Sequence, residues 1–239
     1  MKELTWFILQ IFTCLRSSRY KRFAPVCLFL FAENAAHGQL YNYVQYAEKD
    51  GLPSATVYSM IQDKQGFMWF GTEAGLSRFD GINFKTFTTT DGLPDNEILK
   101  MHEDSKGRIW LLPFRSAVCY YYKGKIYNQQ NDPVLKKIRV KDKIIDLLET
   151  NGGEIWMVES NSIYKIINDT TVTETDTIGG IKLRSVFLFE KDRQDRIWFS
   201  SLNGRQNDIY FYRNGKSHFF TSSSFGAFQN SFSFSGPIK

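Results

Sequence analysis

Cysteine and histidine are scarce in this chain, three of each among 239 residues, and that scarcity removes several chemistries at once. Cys14 and Cys27 fall in an apolar N-terminal stretch, which leaves Cys119 alone in the body of the chain. One cysteine supports neither an internal disulfide framework nor a cysteine-based zinc site. Val118 and Tyr120 alternate around it as strand residues do, so Cys119 reads as a buried structural thiol. His37, His102 and His218 have no carboxylate or cysteine partner at a catalytic or metal-ligating spacing. No Gly-rich loop follows a strand and opens a helix, so no phosphate cradle is present. The expectation is a chain with no catalytic residues, no metal and no cofactor.

An excess of one charge is also missing from the body. The formal net charge is +5, but Lys2, Arg16, Arg19, Lys21 and Arg22 crowd the first 36 residues against only Glu3 and Glu33, leaving the remainder close to neutral. A nucleic-acid partner needs a basic surface that neutralises several phosphates, and none is expected here.

Long apolar runs are absent too. Leu4 to Leu15 and Phe23 to Ala32, separated by the basic stretch Arg16 to Arg22, are each too short to span a bilayer comfortably. The second run has the order of a secretory signal: a positive segment, apolar Val26 to Phe31, then small Asn34-Ala-Ala36 before polar His37-Gly-Gln. Residues 1–36 are therefore expected to be a signal peptide or N-terminal anchor, with a buried N-terminal helix as the competing reading. The first run precedes the positive segment, so a mis-assigned start is a further alternative. Ala24-Pro-Val-Cys27 is a poor lipobox, and no lipoprotein is expected. Export places the chain in an extracytoplasmic, periplasmic setting, with membrane contact only through the leader or a downstream span of a parent in the inner membrane.

What is abundant is aromatic side chain, 21 Phe, 12 Tyr and 5 Trp, with Asn, Asp, Gly and Thr scattered between apolar stretches. That is the texture of strands separated by turns. Trp69, Trp110, Trp156 and Trp198 are spaced by 41, 46 and 42 residues. Their surroundings match: Asp63-Lys-Gln-Gly66-Phe-Met-Trp69, Asp104-Ser-Lys-Gly107-Arg-Ile-Trp110, Thr150-Asn-Gly-Gly-Glu-Ile-Trp156 and Asp192-Arg-Gln-Asp-Arg-Ile-Trp198. Each is a tight turn entering a strand, with a side chain at the first position that bonds the backbone and a residue at the fourth that tolerates positive φ.

An apolar, β-favouring run precedes every turn: Val57 to Gln62, Ile98 to Glu103, Ile144 to Glu149 and Ser185 to Glu190. Two further strand-like stretches follow each Trp, joined in the first copy by Asp80-Gly81 and in the fourth by Asn214-Gly215, both hairpin dipeptides. Each unit is thus four short antiparallel strands. Such a sheet cannot bury both faces alone, and radial stacking of copies solves the problem while leaving only short edges exposed. The fold class is all-β: a partial β-propeller of about four four-stranded antiparallel blades, preceded by the signal-like segment. A tandem superhelix of sheets is the architectural competitor. The recurrent Trp then packs between blades and is not a ligand platform.

The boundaries follow. Residues 37–56 hold an orphan outer strand, Asn42 to Tyr46, and a linker. Blades occupy 57–90, 91–131, 132–178 and 179–221, and 222–239 form a Ser- and Phe-rich tail. Four units sit at the lower limit of propeller size and the tail has no fifth Trp turn, so a truncated product or gene fragment is expected, with self-association as one way to close a ring.

These residues resemble the two-component regulator propeller repeat of periplasmic sensor regions in bacterial hybrid histidine kinases and related regulators. The first unit carries the fullest match: Asp50-Gly-Leu-Pro53, Asp63 to Gly66, Trp69-Phe-Gly-Thr72, Gly75-Leu76 and Arg78-Phe-Asp-Gly81. The second keeps Asp91-Gly-Leu-Pro94 and Asp104 to Trp110 but has Leu112-Pro113 in place of Gly-Thr. Units three and four keep the Trp turn and lose the Gly-Leu-Pro linker. The resemblance spans roughly residues 40–220 and implies a sensor in a longer protein with a kinase or DNA-binding output, and an oligosaccharide as the family-level ligand. No kinase motif is in this sequence, so the chain itself is not expected to be an enzyme.

Repeated positions serve the scaffold, so a ligand site should use loops that differ between blades. The linkers and the loops after the Trp strands open on one face, which nominates Glu73, Arg115, Asn161, Arg184 and Arg205. A planar guanidinium fork suits anionic or hydroxyl-rich ligands. Asp63, Asp104 and Asp192 recur in register, which argues for turn formation over acid-base work. The competing functions are a propeller enzyme acting on polysaccharide, as lyase or glycosidase, and a nonfunctional remnant.

Overall fold

A computed structural model of the chain describes residues 44–115 and 117–220. The signal-like segment, Asn42 and the Ser/Phe-rich tail lie outside the described residues. The first blade comprises β1 (Val57–Gln62), β2 (Met68–Thr72), β3 (Leu76–Phe79) and β4 (Phe84–Phe87); the second β5 (Ile98–Glu103), β6 (Ile109–Pro113), β7 (Cys119–Tyr122) and β8 (Lys125–Tyr127). The third comprises β9 (Asp146–Glu149), β10 (Ile155–Val158), β11 (Ile163–Ile167) and β12 (Thr171–Thr175). A small hairpin, β13 (Thr177–Ile178) and β14 (Ile181–Lys182), leads to the fourth blade, β15 (Phe189–Lys191), β16 (Ile197–Asn203), β17 (Gln206–Arg213) and β18 (Lys216–Phe219). Each blade is one antiparallel sheet in chain order. The first strands of successive blades are neighbours, β1 beside β5, β5 beside β9 and β9 beside β15, as expected for strands nearest a propeller axis. Among the described residues no helix is long and apolar enough to cross a membrane.

Register explains why tryptophan recurs. Trp69, Trp110, Trp156 and Trp198 stand opposite Ile61, His102, Leu148 and Glu190 on the innermost strands. Each is nearly inaccessible, at 1–3% exposure. Trp69 packs with Ile109, Leu111 and Tyr121 of the second blade, Trp110 with Leu147, Met157 and Tyr164 of the third, and Trp156 with Phe189, Phe199 and Tyr210 of the fourth. The core is therefore a series of interblade layers. Burying an indole of this size contributes the largest single apolar term at each joint.

The turn before each Trp has the same backbone bonds four times, and its first side chain closes it. Asp63 Oδ1 accepts from the Gln65 and Phe67 amides, Asp104 Oδ1 from Lys106 and Arg108, and Asp192 Oδ1 from Gln194 and Arg196. Thr150 Oγ1 accepts from Glu154 alone. The fourth turn residues, Gly66, Gly107, Gly153 and Asp195, take positive φ of 91°, 77°, 77° and 60°.

The two Asp-Gly-Leu-Pro linkers are also alike. Asp50 and Asp91 fold back to accept from the Ala47 and Thr88 amides at 2.9 and 2.8 Å, Gly51 and Gly92 turn at φ near 105°, and Leu52 and Leu93 enter the core.

Two local expectations change. The described part of the orphan strand, Val44 to Tyr46, is not extended into a sheet; the Tyr46 ring instead packs on Phe79 and Phe84 at 4.9 and 5.6 Å. Ring contact, not strand pairing, holds it. Asp80-Gly81 does not make a two-residue hairpin. Asp80 Oδ1 accepts from Ile82 and Asn83, which widens the loop to four residues, whereas Asn214-Gly215 does form the two-residue turn, with Arg213 opposite Lys216 and both φ positive.

Candidate functional site

Strand alternation gives the blades two edges. One carries the Trp turns and the outer hairpins. The other carries the interblade linkers and the loops after the Trp strands, where all five nominated residues lie.

Of the five, Asn161 borders a cleft. The cleft encloses about 570 Å³ on the linker edge of the third blade, between Lys141-Asp142, Glu159 to Ser162 and Glu174 to Asp176. Glu159, 3% exposed, organises it: Oε1 accepts from the Lys141 amide at 2.8 Å and Oε2 from the Ser162 hydroxyl at 2.8 Å. Asp142 accepts from Ser160 Oγ at 2.6 Å, and that bond, followed by the Lys143 amide, holds its carboxyl below the usual range. Lys141 Nζ meets Glu174 at 2.6 Å, which raises the ammonium pKa. Asn161 Oδ1 accepts from the Ser185 amide at 3.1 Å, and Ser185 sits at φ 47°, a conformation serine adopts only when its surroundings impose it.

The other four are dispersed. Arg184 lies in the linker beside that contact, and its carbonyl accepts from Leu202. Glu73 and Arg115 sit on the equivalent loops of the first and second blades; Arg115 is 74% exposed and 3.9 Å from Asp95. Arg205 is at the tip of the β16–β17 hairpin, after Gly204 at φ 64°. The guanidinium groups thus do not converge on one ligand.

The Trp-turn edge carries what the sequence reading passed over. Each described indole Nε1–H donates to a carboxylate: Trp69 to Asp63 at 2.7 Å, Trp110 to Asp104 at 2.8 Å, Trp198 to Asp192 at 2.9 Å and Trp156 to Glu154 at 2.8 Å. Latches join neighbouring blades there. The Lys64 amide donates to Glu103 at 3.0 Å, and the Ser105 amide and hydroxyl donate to Glu149 at 2.7 and 2.6 Å. At the third joint Lys191 stands where those glutamates stood, and the latch reverses: Lys191 Nζ donates to Asn151 Oδ1 and the Asn151 amide to Asp195. Cys119 is fully buried in β7, and burial pushes its thiol pKa far up.

Comparison with known proteins fits this geometry. The family model described as "Two component regulator propeller" matches residues 51–74 and 92–113, each a linker, inner strand and Trp strand. These two segments carry the two-component regulator propeller repeat. Histidine kinase P4 of Formosa agariphila is 39% identical over 64 residues, covering 26% of this chain and 5% of the kinase. Among solved structures, the extracellular domain assigned to a hybrid two component system of B. thetaiotaomicron has a TM-score of 0.58 at 20% identity, over 75% of this chain and 26% of that one. Virginiamycin B lyase of Staphylococcus aureus has a TM-score of 0.54 at 18% identity, over 71% and 57%. At those identities the two structures speak for the propeller fold of these repeats and for nothing finer. The chain spans a small part of the kinase and about a quarter of the extracellular domain.

Proposed function

We propose that these repeats form part of an extracytoplasmic sensor in a two-component system, and that the linker-edge cleft of the third blade binds a hydroxyl-rich ligand of the oligosaccharide class. The observation that carries the reading is the pairing of family-matched scaffold repeats with one cleft built from residues the repeat does not share. Asp142, Glu174, Asn161, Ser162 and Thr175 offer closely spaced acceptors and donors for hydroxyl groups. Sidedness supports it as well, because the B. thetaiotaomicron protein of similar fold is an extracellular domain. The chain acts here by binding and not by turnover.

Isothermal calorimetry of the chain against a panel of neutral and acidic oligosaccharides tests this reading. The expected result is saturable binding that Asn161→Ala weakens about tenfold, the scale of one lost hydrogen-bonding group at about 1.4 kcal/mol. Absence of binding across the panel overturns the sugar assignment. Appearance of cleaved product overturns the non-enzymatic role and favours the lyase-like alternative.

A further inference from the structure

A second cleft, between the second and third blades at the Trp-turn edge, has the makings of a separate site. Its floor is Arg108, 9% exposed. Arg108 Nε donates to Asp104 at 2.5 Å and Nη1 to Asp169 at 2.8 Å. Nη2 is shielded from solvent and has no acceptor among the described residues. A buried guanidinium nitrogen left without a partner is costly, and native proteins seldom leave one so. The cleft of about 230 Å³ that Arg108 lines has room for roughly seven waters at about 30 Å³ each, so it exceeds what one bridging water would fill.

The chemistry of the walls selects the occupant. Trp110, Tyr120 and the half-buried Tyr122 supply ring surface. Lys106 and Arg108 supply donors, and Asp132 and Asp169 supply acceptors. With Asp104 beneath, two cations face three carboxylates, so a free anion is repelled, and the buried guanidinium disfavours a cation. A neutral ring with several hydroxyls satisfies all of them: apolar faces against aromatics, hydroxyl hydrogens toward carboxylates and a hydroxyl oxygen toward Nη2.

Access lies through the surface. Asp169 is shared between Arg108 beneath and Lys106 above, and the Lys106–Asp169 side chains are 46% and 39% exposed. An exposed pair such as Lys106–Asp169 is held weakly, so the rim at Lys106 parts readily while Arg108 keeps Asp169 through Nη1.

We infer that this interblade cleft is a binding site for a neutral, hydroxylated six-membered ring, with Arg108 Nη2 as its central donor and Tyr122 as its stacking face. The inference stands apart from the linker-edge reading, because the two clefts share no residue.

The test is fluorine NMR of the full chain labelled with 5-fluorotryptophan, its resonances assigned by single Trp→Phe variants and titrated with methyl glycosides of glucose, galactose, mannose and xylose. The expected result is a saturable shift of the Trp110 resonance by at least one neutral glycoside, with those of Trp69, Trp156 and Trp198 static. Tyr122→Ala is expected to weaken it tenfold or more, Tyr122→Phe to retain it, and Asn161→Ala to leave it in place. A static Trp110 resonance throughout overturns the site, since the cleft then holds solvent only. A stronger response to glucuronate than to any neutral glycoside overturns the ligand class. A Trp110 response abolished by Asn161→Ala but insensitive to Tyr122→Ala transfers the binding to the linker edge and also overturns it. A circular dichroism melt of each variant identifies one that fails to fold, and in that case Lys106→Ala, at the exposed rim, replaces it and is expected to alter affinity at least threefold.

Discussion

The second and fourth blades differ from the first and third in how a cation reaches the buried tryptophan. In the second and fourth it comes from the turn: Arg108 and Arg196 lie over Trp110 and Trp198, both at 5.1 Å, and pair with Asp104 and Asp192 at 2.5 and 2.6 Å. The residues opposite those tryptophans are aromatic, Tyr120 and Phe211. In the first and third blades the opposite residue is the cation. Arg78 stands 5.8 Å from the Trp69 ring and 4.4 Å from Phe67, and Lys165 stands 3.8 Å from Trp156. The turn position is then free to be Phe67 or Glu154. The slot has one architecture and two ways to fill it, so charge and aromatic ring exchange places between turn and strand. Neither residue can be judged alone, because each is the complement of the other across the sheet.

The largest expected effect separates the second blade from the third at the first turn position. Asp104→Ala strips a buried carboxylate from Arg108, two turn amides and the Trp110 indole, and removing one partner of a buried ion pair costs about 3–5 kcal/mol. Thr150→Ala removes one neutral bond from the third blade and is expected to cost about 0.5–1.5 kcal/mol. Urea unfolding of the two variants measures the gap, and equal losses contradict the distinction.

Transplanting one type onto the other gives a smaller and more informative effect. Arg108→Phe with Tyr120→Arg gives the second blade the first blade's pattern. The double variant is expected to be less destabilised than the sum of the singles, with a coupling of about 0.5–3 kcal/mol, as for residues in contact. A double-mutant cycle by chemical denaturation reads that coupling directly.

The smallest expected effect concerns acid. Burial works to raise the Asp169 carboxyl, and the bonds and charges of Lys106 and Arg108 outweigh it, leaving its pKa below the ordinary value. A group depressed in the folded state contributes stability that is present above its unfolded pKa of about 3.9 and is lost as pH falls through the folded value. Because Asp169 is partly exposed, its share is discounted to about 1 kcal/mol or less. Asp169→Asn should lower stability at neutral pH by that amount and converge with the parent in strong acid.

Much of the scaffold was legible because mechanical necessity repeats. A side chain that closes a turn, a Gly or Asp at positive φ and a Trp six residues after the turn's first residue recur at near-constant spacing, and with the apolar runs beside them they mark the four blades seen among the described residues. The third joint was harder to read. With Thr150 in place of Asp, the carboxylate for Trp156 moves to Glu154, and only its position four residues after Thr150 hinted at the exchange. The site was legible in part. Loop variation led to Asn161, but Glu73, Arg115 and Arg205 occupy separate loop tips, since blade spacing keeps equivalent loops apart. The Trp-turn clefts were invisible for a different reason: Arg108 meets Asp169 across 61 residues of sequence, and no local pattern announces a contact made only when two blades stack.

The central claim is that four tryptophans fill equivalent sealed slots, each with its ring N–H held by a carboxylate. Proton–nitrogen NMR of hydrogen exchange at the indole Nε1–H groups tests it most directly. The account predicts that Trp69, Trp110, Trp156 and Trp198 all exchange orders of magnitude more slowly than a free indole. Rapid exchange at any of the four under native conditions would contradict it.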